Sequence, residues 1–99
     1  MSATQICFHP EARQELRAAV QFYEGEAAGL GRELFHEVRV VLSRIAEWPA
    51  SGAPDGNDIR RVILARFPFT VVYQVLDDAV EIVAVMHQRQ RPGYWKRRT

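Results

Sequence analysis

The sequence predicts an α+β fold with the element order β-α-α-β-β-β, in which an antiparallel sheet packs against a helical hairpin. Between residues 10 and 48 apolar residues recur every three or four positions, which is typical of amphipathic helices. After residue 58 the pattern changes to short runs rich in Val, Ile, Tyr and Phe, which favour strands. Ninety-nine residues suit one domain, so residues 1–99 are assigned to a single unit.

The first strand and the first helix meet at His9-Pro10. Residues 4–8 form a short β-prone run in which Ile6 and Phe8 alternate with polar or small neighbours. Pro10 suits the first helical position because a helix does not need that residue's N–H. The apolar positions that then follow helical spacing are Ala12, Leu16, Ala19, Val20, Tyr23 and Ala27.

A second helix follows after a short break. Gly29 and Gly31 interrupt the first periodic pattern, and Pro49 ends the second one. The apolar positions of this helix are Leu30, Leu34, Val38, Val41, Ile45 and Trp48. Because the link between the two helices is so short, they are expected to pack as an antiparallel pair.

Three strands are predicted after a loop. Residues 50–58, "ASGAPDGND", have the composition of a loop, and strands follow at residues 59–64, 69–76 and 80–87. Consecutive strands joined by short turns pair antiparallel. The last strand alternates weakly, since Val83 and Val85 share a face with Glu81 and His87, and this indicates a central strand covered in part on both faces.

Positive charge is concentrated at the C-terminal end. Residues 1–50 hold five Arg and seven Glu, a net charge of −2, whereas residues 51–99 have a net charge of +3. From Ala84 onward there are five cations and no carboxylate side chain. This asymmetry indicates an acidic partner, either nucleic acid or protein. The alternative is a solvated tail that is basic for solubility.

Several site classes lack support in the sequence. Cys7, His9, His36 and His87 are all the Cys and His residues, and their spacing fits no zinc motif, so no metal site is predicted. There is no nucleophile elbow and no phosphate-binding loop, and no cofactor is predicted. With one cysteine, no signal peptide and only short apolar runs, the chain is expected to be cytoplasmic and to have no membrane partner.

The basic residues near the strand ends form a candidate site. In a meander the end of the first of these strands lies beside the end of the last, so Arg66, His87, Arg89 and Arg91 are expected to share one edge. Arginine with an aromatic can clamp phosphate and stack a base, and His87 could exchange protons near neutral pH. Alternatively, Tyr94 and Trp95 pin the tail to the core and the arginines pair with helix carboxylates; for Trp95 packing is favoured.

The combined pattern resembles a known family. The tract "RRVILARFPFTVVYQVLDDAVEIVAVMHQRQRPGYWKRR" is similar to the C-terminal half of the RelE/ParE toxin superfamily, particularly its ParE-like branch. The segments "HPEARQELRAAVQFYE" and "GLGRELFHEV" are similar to its first and second helices. The resemblance implies the toxin of a type II toxin–antitoxin pair, held inactive by a cognate antitoxin. It also implies that operator DNA is bound only indirectly, through that antitoxin.

One branch of the superfamily consists of ribosome-dependent mRNA endoribonucleases. If this chain were one of them, the resemblance would assign catalysis to His87, Arg89 and Tyr94. However, the set of cations of those nucleases is depleted here: three of their positions fall at Thr70, Ile63 and Gln88, while one falls near Arg61 and Arg89 stands next to Gln88. Without these charges, phosphodiester cleavage would lose the electrostatic stabilisation that usually dominates such chemistry.

The ParE-like branch implies inhibition of DNA gyrase by protein contact, without catalytic residues. The residues then expected to bind the target are Arg66, His87, Arg89, Arg91, Tyr94, Trp95, Arg97 and Arg98. Arginine and aromatic residues are frequent interface anchors. The antitoxin is expected to bury apolar surface on the helical hairpin or a sheet edge, but Phe22, Leu30 and Phe35 remain unassigned candidates. A third alternative is a non-toxic member that only binds an antitoxin or acts as its co-repressor.

Overall fold

Two α-helices, five strands and two short 3-10 helices are present in the part of the chain that the computed structural model describes, residues 4–99. In chain order the elements are β1 (Gln5–Phe8), α1 (Pro10–Glu26), α2 (Leu30–Glu47), β2 (Ala53–Pro54), β3 (Ile59–Ile63), β4 (Phe69–Val75) and β5 (Ala79–His87). The predicted elements are all present, with bounds that differ by one residue at most ends. Strand β2 is an addition within the predicted loop, and its two residues pair with β3.

The strand order in the sheet is β1-β5-β4-β3-β2. The predicted antiparallel pairing is confirmed for β3 with β4 and for β4 with β5, and β5 is central, as its weak alternation indicated. The sheet is nevertheless mixed, because β1 pairs with β5 in parallel, with Gln5 opposite Ala79 and Phe8 opposite Ile82. The expectation of a wholly antiparallel sheet rested on short turns, and no turn joins these two strands.

The helical hairpin depends on a close approach at its turn. Gly29 has a left-handed backbone (φ 88°), and no side chain of its own caps α2. The Glu24 carboxylate of α1 supplies the cap, accepting hydrogen bonds from the N–H groups of Gly29 (2.8 Å) and Gly31 (3.0 Å). These bonds lower the pKa of Glu24, and the bond from Gly29 has the largest effect. A Cβ at Gly31 would collide with the carbonyl oxygen of Val20, so the helices can cross this closely only at glycine.

The main core lies between the helices and one face of the sheet. It contains Leu16, Leu34, Val38 and Ile45 from the helices, and Val71, Tyr73, Val80 and Ile82 from the sheet. The buried Tyr73 hydroxyl donates to the Pro49 carbonyl (2.7 Å) and accepts from the Gly52 N–H (2.9 Å), which fixes the chain after α2. A smaller apolar cluster covers the opposite face of the sheet and includes Trp95.

A β-bulge in β5 lies where the pairing with β1 ends, next to the candidate site. Val72 lies opposite Ala84, but Tyr73 lies opposite Ile82, so Val83 is the extra residue. The pairing with β1 ends at Phe8 and Ile82, where the His9 N–H still donates to the Ile82 carbonyl. Beyond this point, β5 offers polar backbone groups that β1 does not reach.

Candidate functional site

The C-terminal tail, residues 88–99, folds back over the sheet face that the helices leave open. Trp95 is only 4% exposed and packs with Val72 of β4 and Ala84 of β5, in the packing role that the sequence favoured for it. Gly93 turns the tail with a left-handed backbone (φ 80°), and Lys96 Cε occupies the space beside it, 3.0 Å from where a Cβ would stand. The tail is therefore a packed part of the fold.

Glu15 on α1 is the centre of a hydrogen-bond network that holds this tail. Its Oε1 accepts from the Val85 N–H of β5 (2.9 Å) and from Arg98 (3.1 Å). Its Oε2 accepts from the Tyr94 hydroxyl (2.6 Å) and from Arg98 (2.9 Å). Arg98 also donates to the Val83 carbonyl (3.0 Å). Glu15 and Arg98 together satisfy the edge of β5 that β1 leaves unpaired.

This network changes the proton affinities of its members. Burial, and then the hydrogen bond to the Glu15 carboxylate, raises the pKa of the Tyr94 hydroxyl well above its ordinary value. The hydrogen bond with Glu15 likewise raises the pKa of Arg98, whose side chain is 4% exposed. Tyr94 and Arg98, which the sequence analysis placed among the target-binding residues, both bind Glu15 in the structure.

Two further arginines pair with helix carboxylates. Arg97 forms a bidentate, exposed ion pair with Glu11 of α1, with two N–O distances of 2.9 Å. The hydrogen bond from Arg97 is the main cause of the lowered pKa of Glu11. Arg66 pairs with Glu33 of α2. These contacts correspond to the alternative in which the arginines bind the helices.

The segments predicted to share one edge lie close together in their backbones, but not all of their side chains meet there. The Gln88 N–H donates to the Pro68 carbonyl (2.9 Å), so the turn between β3 and β4 adjoins the start of the tail. The Arg66 guanidinium, however, is directed to Glu33 of α2. His87 is half-buried, its Nδ1 accepts from the Arg89 N–H (3.0 Å), and its ring packs edge-on against a neighbouring phenylalanine of β4.

Arg89 and Arg91 remain accessible. Both are exposed, and no ion pair involves either of them within residues 4–99. The same holds for Lys96, which the sequence analysis did not single out. We call Arg89, Arg91 and Lys96 the open tail cations. Of the five cations after Ala84, these three are available to a partner.

A small pocket connects the tail with the open face of the sheet. It lies between β3 and the tail and is lined in part by Arg61, Trp95 and Lys96. The sequence did not indicate that Arg61 and Lys96 line one pocket. The available signal was the alternation in β3, which directs Arg61 to the face opposite the main core.

Two positions on the open face that are matched to nuclease cations carry no charge. These are Ile63 and Thr70, which lie opposite each other on β3 and β4, and Met86 of β5 lies opposite Thr70 on its other side. Ile63 is 74% exposed, whereas Thr70 is buried. Among the residues that the structure describes, no group of three or more His, Cys, Asp or Glu side chains converges to hold a metal. Ile63 and Thr70 therefore offer no cation to a scissile phosphate.

A groove between the helices forms a second candidate surface. It is a cavity of about 510 Å³ lined by apolar residues that include Val20 of α1 and Phe35 of α2. Arg13, Arg17 and Arg39 also line the groove, and among the described residues no carboxylate does so. Phe35, one of the candidates for antitoxin contact, is 44% exposed there. The other two candidates lie elsewhere: Phe22 stands exposed beside Tyr23, and Leu30 packs against the main core.

Comparison with known proteins places the chain in a family. The model of the ParE toxin of the type II toxin–antitoxin system parDE matches residues 6–92. The chain belongs to the ParE toxin family. Toxin ParE2 of Mycobacterium tuberculosis, found in two strains, is 29% identical to this ParE-family chain over 86 residues, covering 86% of the chain and 82% of the relative. No helix in the described range 4–99 is long and apolar enough to cross a membrane.

Solved structures share the ParE fold at low sequence identity. A chain of the chromosomal ParDE system from P. aeruginosa superposes with a TM-score of 0.72 at 16% identity, covering 86% of this chain and 96% of that one. An arginine double mutant of E. coli toxin RelE in the free state superposes with a TM-score of 0.65 at 20% identity, covering 88% and 85%. The ParE family match ends before Trp95 and Lys96, so the pocket beside them lies partly outside it.

Proposed function

We propose that this ParE-family toxin inhibits DNA gyrase in the cytoplasm by protein contact, breaks no bond with its own side chains, and is neutralised by a cognate antitoxin. The observation that carries the proposal is the pair Ile63 and Thr70 on the open face, at positions where ribonuclease relatives carry cations. Cleavage of a phosphodiester requires positive groups aimed at the developing charge. At these two positions the face offers an apolar side chain and a hydroxyl group instead.

The remaining nuclease candidates also support contact rather than catalysis. The Tyr94 hydroxyl donates to Glu15, and its pKa is raised, so it is a poor proton donor or acceptor at neutral pH. The His87 Nδ1 accepts a hydrogen bond from the Arg89 backbone. Through this bond His87 shapes the turn that presents Arg89 and Arg91, and its ring packs against β4.

Target binding then falls to the open tail cations. Arg89, Arg91 and Lys96 are exposed on a tail that Trp95 and Arg98 fix to the body of the protein. Arginine on a preorganised segment binds an acidic surface with little loss of side-chain and loop entropy. Arg66, Arg97 and Arg98 support the tail and the turns around it through ion pairs with the helices.

The antitoxin contact is assigned to the groove between α1 and α2. An amphipathic segment could lay apolar side chains against Phe35 and Val20, as helices do in hydrophobic grooves. The arginines of the groove, Arg13, Arg17 and Arg39, favour a segment with acidic residues beside its apolar ones. Operator DNA would be bound only through the antitoxin, consistent with the membership of the chain in a type II system.

A supercoiling assay with purified gyrase tests the proposal. The wild-type protein is expected to inhibit supercoiling, and the double variant Arg89→Ala/Arg91→Ala to need at least about tenfold more protein, which corresponds to about 1.4 kcal/mol of lost contact. Arg44→Ala is the matched control, because Arg44 is an exposed arginine on α2. Absence of inhibition by the wild type would refute the gyrase proposal.

Two assays distinguish the alternatives. Primer extension on translated mRNA is expected to show no toxin-dependent cleavage, and cleavage that disappears in Tyr94→Phe would establish the ribonuclease alternative instead. Expression without the neighbouring open reading frame is expected to arrest growth, and co-expression is expected to restore it. Normal growth under both conditions would identify a non-toxic member of the family.

A further inference from the structure

The pocket between β3 and the tail has an apolar base and a charged rim. Val72 and Trp95 are buried, Met86 is half-buried, and together they form the base. The exposed side chains of Asp55, Arg61 and Lys96 form the rim. Arg61 projects from the same face of the sheet as Val72, its direct neighbour across β3 and β4.

The size of the pocket restricts what can enter it. Its volume is about 160 Å³. Pockets for drug-sized ligands are usually about 300–1,000 Å³, so a nucleotide is too large for this one. A single side chain or one phosphoryl group is of suitable size. The pocket is therefore suited to one anchoring group of a larger partner.

The charges on the rim favour an anion. Neither Arg61 nor Lys96 forms an ion pair within residues 4–99, so two cations face the pocket with unused donors. Asp55 is a carboxylate on the same rim, so the three rim charges sum to +1 and favour an anion over a cation. An apolar base is better matched to the methylene groups of an acidic side chain than to phosphate oxygens.

We propose that this pocket seats one acidic side chain, Asp or Glu, of the protein target. Arg61 and Lys96 bind its carboxylate by charge-assisted hydrogen bonds, and its methylene groups lie against Trp95 and Met86. The proposal rests on the proposed function, because it gives the gyrase contact a specific anchor. It extends the target-binding surface from Arg89 and Arg91 onto the open face of the sheet.

Charge-neutralising variants test the anchor in the supercoiling assay. Arg61→Gln and Lys96→Gln are each expected to raise the half-inhibitory concentration at least about tenfold, the effect of one charge-assisted hydrogen bond. Asp55→Asn is expected to lower it, and Arg44→Gln to leave it unchanged. The melting temperature of each variant is measured alongside, and since Arg61 and Lys96 are exposed, it should stay near that of the wild type.

Trp95 fluorescence provides a direct test that does not need gyrase. The chain has two tryptophans, so a Trp48→Phe background leaves Trp95 as the only one. An acetylated, amidated tetraglutamate peptide is expected to change the Trp95 emission, and Arg61→Gln in the same background is expected to abolish the change. Inorganic phosphate and a short single-stranded RNA are titrated in parallel.

The outcomes distinguish failure of the pocket proposal from failure of the proposed function. If the wild type inhibits gyrase but Arg61→Gln and Lys96→Gln inhibit equally well, the pocket proposal is overturned and the gyrase proposal stands. If the wild type fails to inhibit gyrase, the proposed function fails, and the tetraglutamate titration still decides the pocket. A Trp95 response to phosphate or RNA without a response to tetraglutamate would overturn the acidic side chain as the ligand.

Discussion

Arg97 and Arg98 are adjacent in the chain and pair with the same helix, but their surroundings differ. The Arg97 side chain is 67% exposed beside Glu11, whereas that of Arg98 is 4% exposed beside Glu15. An exposed ion pair gains little because water screens it. A buried charge depends on its partners, since losing one partner leaves the other group buried without compensation. Residue burial, which charge patterning does not reveal, separates the two arginines.

Substitution of these neighbours should therefore have unequal effects. Arg98→Ala is expected to lower the free energy of unfolding by about 3 kcal/mol, because Glu15 loses its ion pair and the Val83 carbonyl loses a donor. Arg97→Ala is expected to leave it nearly unchanged. Urea unfolding of both variants at neutral pH measures the difference. Equal destabilisation by the two variants would contradict the assignment of Arg98 as a buried support.

Tyr94 should make stability fall at alkaline pH. Its pKa is raised in the folded protein, so its contribution is complete below the ordinary value of 10.0 and is lost as the pH rises above it, because the unfolded chain then releases the proton more readily. Tyr94→Phe is expected to cost about 1 kcal/mol at pH 7 and to show a smaller decline above pH 10 than the wild type. Urea unfolding between pH 7 and 11 compares the two proteins. An identical alkaline decline in both would contradict the role given to this hydroxyl.

The candidate site was predictable from the sequence only in part. The packing of Trp95 followed from its size and apolar character, which burial favours. The division of the arginines into paired and open ones did not follow, because Glu11, Glu15 and Glu33 are distant in sequence from the cations they bind. Helical spacing placed these glutamates between the apolar positions of the helices, but it could not show which strand edge or tail lies beside them.

At the level of elements, local signals set the bounds and long-range pairing set the topology. The changes in hydrophobic period and the prolines placed both helices and the three longer strands. The parallel pairing of β1 with β5 joins the two ends of the fold, and no local pattern encodes it. The bulge at Val83 likewise depends on the contacts of β5 with β4. Together these two features leave part of β5 without a partner strand, and Glu15 and Arg98 bind the polar backbone groups there.

The link between the helices should respond to acid. Glu24 accepts hydrogen bonds from Gly29 and Gly31, and its lowered pKa means that its contribution is present above the ordinary value of 4.5 and is lost as the pH falls through the folded value. Glu24→Ala is expected to lower the melting temperature at pH 7 and to weaken the dependence of stability on pH below 4.5. Glu26→Ala, two residues further along the same helix, is the control. Thermal unfolding from pH 3 to 7 checks this, and equal effects of both substitutions would argue against the cap.

At the level of the whole molecule, the two candidate surfaces lie on opposite sides of the sheet. The helices cover one face and carry the groove beside Phe35, while the tail covers the other face and carries Arg89 and Arg91. The net charge is only +1, so the attraction of an acidic target depends on where the cations are placed and not on their total. This arrangement allows binding of the antitoxin and of the target to be altered separately.

Separate loss of the two activities is the corresponding prediction. Phe35→Asp places a charge in the apolar groove and is expected to weaken antitoxin binding at least about tenfold while growth arrest persists, since burying an unpaired carboxylate is costly. Arg89→Ala/Arg91→Ala is expected to abolish growth arrest and to bind the antitoxin as the wild type does. Calorimetric titration with the antitoxin, alongside growth assays, measures both properties. If either variant lost both properties while remaining folded, one surface would serve both partners, and the antitoxin would then act by covering the tail directly.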